Sequence, residues 1–423
     1  MSRDFSSRHQ GRARYLFAGQ PSTHQTPYRS TADLRVEGLP SALTATANLD
    51  FMDKLNPFFY SERALHSSGH YIGRSAPLSV GTFSKRPGNT ILFDSGGLQF
   101  GRNPTQWRGD GSRAWALRFL ETHADEAITL DVPTRVITPG QLPFDSFGAA
   151  LAVTLENNRF FARRRSANVR FLSVLQGETS ADAQAWYDAV KAQPFEGWAF
   201  GGSRRTDYIH ISGMLVRLIA DGLLTRERNR LHFLGVSSLT HAVMLSALQT
   251  ALREHLGDGE FLITFDTSTP STLATMGLVF GYPNISPTSF AMSILKPPSG
   301  HIHYGWRTPF PVTTSRISEH LLVGDLCVPS ATRQSGWDAL GHEIAVNHNH
   351  ESLLRGIEDA NSVVEMPSAW SSKLAPDHII KAYRALRTMF QYPDPAAHIR
   401  RQAKCFALIG GACEGTENKH KHV

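Results

Sequence analysis

Cysteine is scarce in this 423-residue chain: Cys327, Cys405 and Cys413 are the only three. An odd number at such spacing builds no disulfide framework, so the core must close on apolar burial, as in a reducing compartment. No run approaches the about 20 consecutive apolar residues of a membrane span. The opening stretch, MSRDFSSRHQGRARY, lacks the apolar block of a secretory signal. These absences predict a cytoplasmic protein without membrane contact. No G-x-G-x-x-G follows the first strand-like run, which removes the main support for a dinucleotide site on an open doubly wound sheet. Acidic residues are outnumbered, 37 Asp plus Glu against 43 Lys plus Arg, and 19 histidines add latent positive charge. That balance favours a polyanionic partner. Consecutive Arg163, Arg164 and Arg165, and Arg204 with Arg205 after a Gly-Gly pair, are candidate phosphate contacts.

What is present is enough apolar chain for one large domain or two modest ones, which excludes disorder as the whole answer. Residues 1–35 are polar and basic without sustained periodicity, and predict a partly disordered arm. From Thr90 onward short apolar runs alternate with segments of helical spacing. The runs are 90–93, 127–130, 169–175, 197–200, 231–234 and 261–265, followed in turn by Asp94, Asp131, Gln176, Gly201, Gly235 and Asp266. Those endpoints fall 25 to 45 positions apart, room for one strand, one helix and two loops per unit. Helices are predicted at 180–193, capped by Thr179 or Ser180, and at 238–256, ending at Gly257. Six such units predict a (β/α)8 TIM-type barrel over residues 36–360. Later helical patterns at 343–360 and 377–390 predict a C-terminal helical and loop extension, 361–423, packed on it.

The polar residues fall at the carboxyl ends of these runs, the rim on which barrel sites are built. Asp94 and Asp266 each follow an apolar strand directly. One strand-end aspartate alone is as readily a helix cap. Two on a common rim suit a reaction through an oxocarbenium-like sugar, one attacking the anomeric carbon and the other protonating the leaving group. Gly96 and Gly97 after Ser95, and Gly201 with Gly202, have no Cβ to hold off a flat ligand, although a tight turn alone would use the same residues. Asp131 and Gln176 offer acceptors and donors for the edge of a purine-like base, or serve as structural hydrogen-bonders. Residues 296–316 gather Pro, Gly, His301, His303, Tyr304 and Trp306 in an ordered loop that could meet nucleic acid with aromatic faces.

The segment 93–99, FDSGGLQ, resembles the Asp-Ser-Gly-Gly-aromatic-Gln motif of the tRNA-guanine transglycosylase family. LDVPT at 130–134 is similar to the base-recognition motif of its archaeal members. LQG at 175–177, FGG at 200–202, FLGV at 233–236 and FD at 265–266 follow in the family's order, with a weaker echo in NHN at 347–349. The resemblance covers residues 85 to 275 and implies base exchange, in which a guanine in a polynucleotide is replaced by a 7-deazaguanine. By position, it implies that Asp266 is the nucleophile of a covalent aspartyl-sugar intermediate and Asp94 the general acid and base. Asp131, Gln176 and the Gly201-Gly202 backbone would hold the base edge, beside Ser95, Gly96 and Gly97, with Leu234 beneath its face.

The chain departs from the family at two places. Leu98 stands where the stacking aromatic belongs. Against the family's three zinc cysteines and distant histidine, the local counterparts are Asp325, Cys327, Ser330 and His348, a poor tetrahedral set. Cys327 and His348 are thus weak metal candidates, with Cys405 or Cys413 as substitutes through folding. The expectation is that no cofactor is required and that zinc is not favoured. With no appended RNA-binding domain of the archaeal kind, these losses resemble the divergent branch that inserts 7-deazaguanines, such as 7-cyano-7-deazaguanine, into DNA. DNA is the expected partner and tRNA the alternative, with the free 7-deazaguanine base and other proteins of a DNA-modification system as further partners. Two rival readings stand beside exchange: hydrolysis by the same carboxylates, and a catalytically inactive nucleic-acid-binding barrel.

Overall fold

Eight parallel strands close into a barrel in the computed structural model, which describes residues 3–4, 11–19, 50–56, 58–73, 87–327, 337 and 339–409. We number the barrel strands β1 (Arg14–Ala18), β2 (Arg63–Ser67), β3 (Thr90–Asp94), β4 (Glu126–Ile128), β5 (Arg170–Leu175), β6 (Gly197–Phe200), β7 (Arg230–Phe233) and β8 (Leu262–Thr267). Closure runs from β8 to β1, with Asp266 opposite Leu16. Six of the eight coincide with the apolar runs read from the sequence.

The alternation of each strand separates two apolar layers. Leu16, Leu65, Leu92, Ile128, Leu172, Val174 and Ala199 pack together as the barrel interior. Their neighbours Tyr15, Phe17, Trp198 and Phe265 pack in the core shared with the surrounding helices. Two residues before the interior layer, Arg63 and Arg230 reach Glu126 at 3.7 and 3.1 Å, and Arg14 pairs with Glu62. This network plugs the amino-terminal end of the barrel, so the carboxyl end is the one available for a site.

Two sequence expectations are corrected here. β1 lies inside the segment predicted as a partly disordered arm outside the barrel: RYLFA is short and flanked by polar residues, and its burial comes from strands far away in sequence. The barrel therefore begins before residue 36. The boundary at 360 also falls within one continuous helix, Ala339–Glu365, because that helix packs along the barrel instead of starting a separate unit. Thr179 caps the predicted helix after β5, observed as Ser180–Val190, through a reciprocal capping box with Asp182. Helix Leu239–Leu256 is buried almost all round. Ala339–Glu365 and the helix Asp377–Arg387 cover the side that would otherwise face solvent.

After β8 an antiparallel hairpin, Val279–Ser286 with Ser289–Leu295, rests on helix Ala339–Glu365. The NHN segment fastens it. Phe280 N donates to Asn349 Oδ1 at 2.7 Å, and Asn349 Nδ2 donates to Pro270 O at 2.9 Å.

Candidate active site at the barrel mouth

Asp94 ends β3 and is partly buried. Ser67, the last residue of β2, donates its hydroxyl to Asp94 Oδ2 at 3.1 Å, and the Gly96 N–H also reaches the carboxylate. Across the barrel Asp266, near the end of β8, is 8% exposed. Its Oδ1 accepts from Gly235 N at 3.0 Å and lies 3.2 Å from His232 Nε2. The two carboxylates are within electrostatic reach of each other, as are Asp94 and Asp131. The fold thus brings three acids from β3, β4 and β8 to one opening.

Burial raises the Asp94 carboxyl above the usual aspartate range, against the Ser67 hydrogen bond, and the charge of Asp266 raises it further. Asp131 is pushed up to about 7, chiefly by burial and then by Asp94. Two acids whose carboxyls are held above the usual aspartate range, beside a third acid, place a candidate proton donor next to a candidate nucleophile.

The structure divides the glycines that the sequence treats alike. A Cβ on Gly97 would sit 2.1 Å from the Asp131 carbonyl oxygen. Gly96 has φ +83°, and a Cβ there would sit 2.6 Å from the Gly69 backbone. Close packing of neighbouring rim loops by itself requires glycine at these two positions. Ser95 is likewise spent internally, its fully buried hydroxyl donating to Thr129 O at 3.1 Å. Gly201 is different: a Cβ would find nothing nearer than 3.6 Å, from Leu234 and Val174. Gly202, at φ +70°, has Gln176 Cβ at 3.4 Å. Leu234 is half-buried on the interior cluster and forms the floor beside them. Gly201 is therefore not forced by packing, and a Cβ there would make ordinary contact with Leu234 and Val174.

Gln176 takes the structural hydrogen-bonding role that the sequence left open beside base recognition. Its Nε2 donates to Asp131 Oδ2 and to Val132 O, both at 3.0 Å, while its Oε1 accepts from Thr134 N at 3.0 Å. With both amide protons engaged, Gln176 orients Asp131 and is not a free reader of a base edge. Arg205 was legible only as basic charge. Its guanidinium donates to Gly202 O at 2.8 Å and to Gly235 O at 3.3 Å, tying the loops after β6 and β7 together. His232 was hidden in an apolar run. Alternation places it on the interior face of β7, where a histidine among leucines is the available signal.

Among the described residues, Asp325, Cys327 and His348 of the set implied by the resemblance do not assemble into a metal site. His348 is fully engaged, Nδ1 at 2.7 Å from Ser315 Oγ and Nε2 at 2.9 Å from Phe280 O. Cys327 Sγ donates to Val323 O at 3.3 Å, and Asp325 Oδ2 accepts from Leu322 N at 2.7 Å. Ser330 and Cys413 lie outside the described residues. Among the described residues no group of three or more His, Cys, Asp and Glu side chains could hold a metal ion. These residues do not fit a zinc ion, which needs imidazole and thiolate lone pairs that are here turned to protein partners.

Asp131 links the site to stability. The folded chain keeps its proton up to about pH 7, while an unfolded aspartate releases it near its ordinary value of 3.8. Between these values the folded state binds more protons, so this residue's contribution falls as pH rises through the window and is flat above it. Asp131→Asn, which cannot ionise, is expected to gain stability relative to the native protein on going from pH 5 to pH 8. Thermal unfolding at both values checks this; an identical difference in Tm at the two would refute it.

No protein-family model matches this chain, and no curated protein matches it.

Proposed function

We propose that the barrel mouth is the active site of a base-exchange transglycosylase that replaces a guanine in a nucleic acid, DNA in preference to tRNA, with a 7-deazaguanine. One observation carries this reading: Asp94 and Asp266, 172 positions apart in sequence, stand on one rim within electrostatic reach. Asp266 attacks the anomeric carbon through Oδ2 as the bond to guanine breaks, and Asp94 passes its proton to the departing base. In the return step the incoming base gives its proton to Asp94 and displaces the ester oxygen, regenerating the Asp266 carboxylate. The base rests over Leu234 and Gly201, with Asp131 at its edge. With Leu98 in place of an aromatic, the opposite wall offers apolar contact without π-stacking.

A polynucleotide partner is supported by charge. No Asp or Glu occurs between Asp266 and Glu319, while Lys296, Arg307 and Arg316 do. Within that stretch Ile302, Tyr304 and Trp306 are 66%, 46% and 48% exposed, aromatic and apolar faces beside cations on which unstacked bases can rest. The target nucleotide must leave its stack to reach the rim.

The test is incubation with DNA or tRNA carrying labelled guanine, with and without 7-cyano-7-deazaguanine. Release of label that requires the added base, with the deazaguanine nucleoside found in DNA, is the expected result. Label released without it, leaving abasic sites, identifies a hydrolase. Exchange confined to tRNA overturns the choice of DNA, and binding with no chemistry identifies an inactive barrel.

A further inference from the structure

We propose that His232 is the positioning residue that sets which oxygen of Asp266 reacts, an inference that rests on the base-exchange reading. His232 has no solvent exposure and projects from β7 into the barrel interior. Its Nδ1 lies 2.9 Å from Thr264 Oγ1, on the neighbouring strand β8. The Thr264 hydroxyl also lies 3.3 Å from Leu231 O, so its contact with Nδ1 holds the ring in place whichever of the two atoms carries the proton. The other ring nitrogen, Nε2, then meets Asp266 Oδ1 at 3.2 Å with a proton shared on that contact. A reactive carboxylate requires that proton on Nε2.

Gly235 N donates to the same oxygen at 3.0 Å. Two donors on Oδ1 fix the rotation of the carboxylate and leave Oδ2, which has no hydrogen-bond partner among the described residues, as the oxygen that bonds to the sugar. In the covalent intermediate Oδ2 is the ester oxygen and Oδ1 the ester carbonyl. When the incoming base displaces the sugar from Oδ2, the electron pair of the breaking C–O bond returns to the carboxylate. The N–H groups of His232 and Gly235 stabilise that charge on Oδ1. His232 therefore acts more on resolution of the intermediate than on its formation.

The experiment measures formation of the covalent adduct on a guanine-containing oligonucleotide and its decay on adding 7-cyano-7-deazaguanine, in single turnovers. His232→Leu fills the volume and removes the ring's donor to Oδ1 while leaving Gly235 N; it is expected to slow decay by about 10²–10³-fold, with a smaller effect on formation, so that adduct accumulates. His232→Gln keeps one N–H toward Asp266 and is expected to recover at least about tenfold of the loss. Equal losses in both variants, or wild-type decay in His232→Leu, overturns the proposal. Should His232→Leu fail to fold, Thr264→Val carries the test, because it removes only the Nδ1 partner; decay about tenfold slower is expected, and wild-type decay overturns the proposal. Nitrogen NMR of labelled histidine reads the contact without turnover: a proton on Nε2 is expected, and a bare Nε2 refutes the contact with the carboxylate. A native protein that never forms an adduct refutes base exchange itself, a result separable from normal adduct chemistry that ignores His232.

Discussion

Asp266→Asn is expected to abolish base exchange and the covalent adduct together, a loss of about 10⁴-fold or more in rate. The neutral amide has no carboxylate oxygen to bond to the anomeric carbon. The substitution is close to isosteric, Oδ1 can still accept from Gly235 N, and Asp266 sits at the end of a strand paired on both sides. The fold should therefore survive, and thermal unfolding can verify it. Trapping on a guanine-containing oligonucleotide followed by denaturing gel analysis reads the adduct. An adduct of normal yield in this variant would exclude Asp266 as the nucleophile and make Asp94 the candidate.

Asp94→Asn is expected to slow adduct formation by about 10²–10⁴-fold, the usual worth of a positioned proton donor. Its signature is a pH profile. Burial, and the charge of Asp266 beyond it, holds the Asp94 carboxyl above the ordinary range despite the Ser67 hydrogen bond. The protonated form is the donor, so adduct formation in the native protein should fall on the alkaline side, as pH passes through that raised value. In Asp94→Asn the alkaline limb should vanish and leave a slow, flat rate. Single-turnover rates across pH test this. A limb that persists unchanged in the variant would assign the donor elsewhere, with Asp131, pushed up to about 7, as the next candidate.

Much of the architecture was legible in the sequence, because parallel strands buried on both faces read as short apolar runs whatever surrounds them. The six runs from Thr90 to Phe265 are all barrel strands, and the residues that end them form the rim. β1 and β2 were not legible. RYLFA is a single short apolar run set among polar residues and RALHS carries only Ala64 and Leu65, and their place depends on pairing β8 with β1 between residues as far apart in the chain as Arg14 and Thr264. The long helix Ala339–Glu365 hid a boundary for a related reason, since its buried face is defined by the hairpin and helices it covers.

By itself the sequence determined the repeating units, the acids at strand ends and the excess of positive charge, since each depends only on residue type and local spacing. Tertiary structure decided how those residues are used. Closure of the barrel carried Asp94 and Asp266 to one mouth, the nesting of loops made Gly96 and Gly97 necessary for packing but not Gly201, and strand register put His232 against Asp266. Contacts of this kind join residues with no neighbourhood in the chain, and hydrogen bonding and burial act only once the backbone has brought them together.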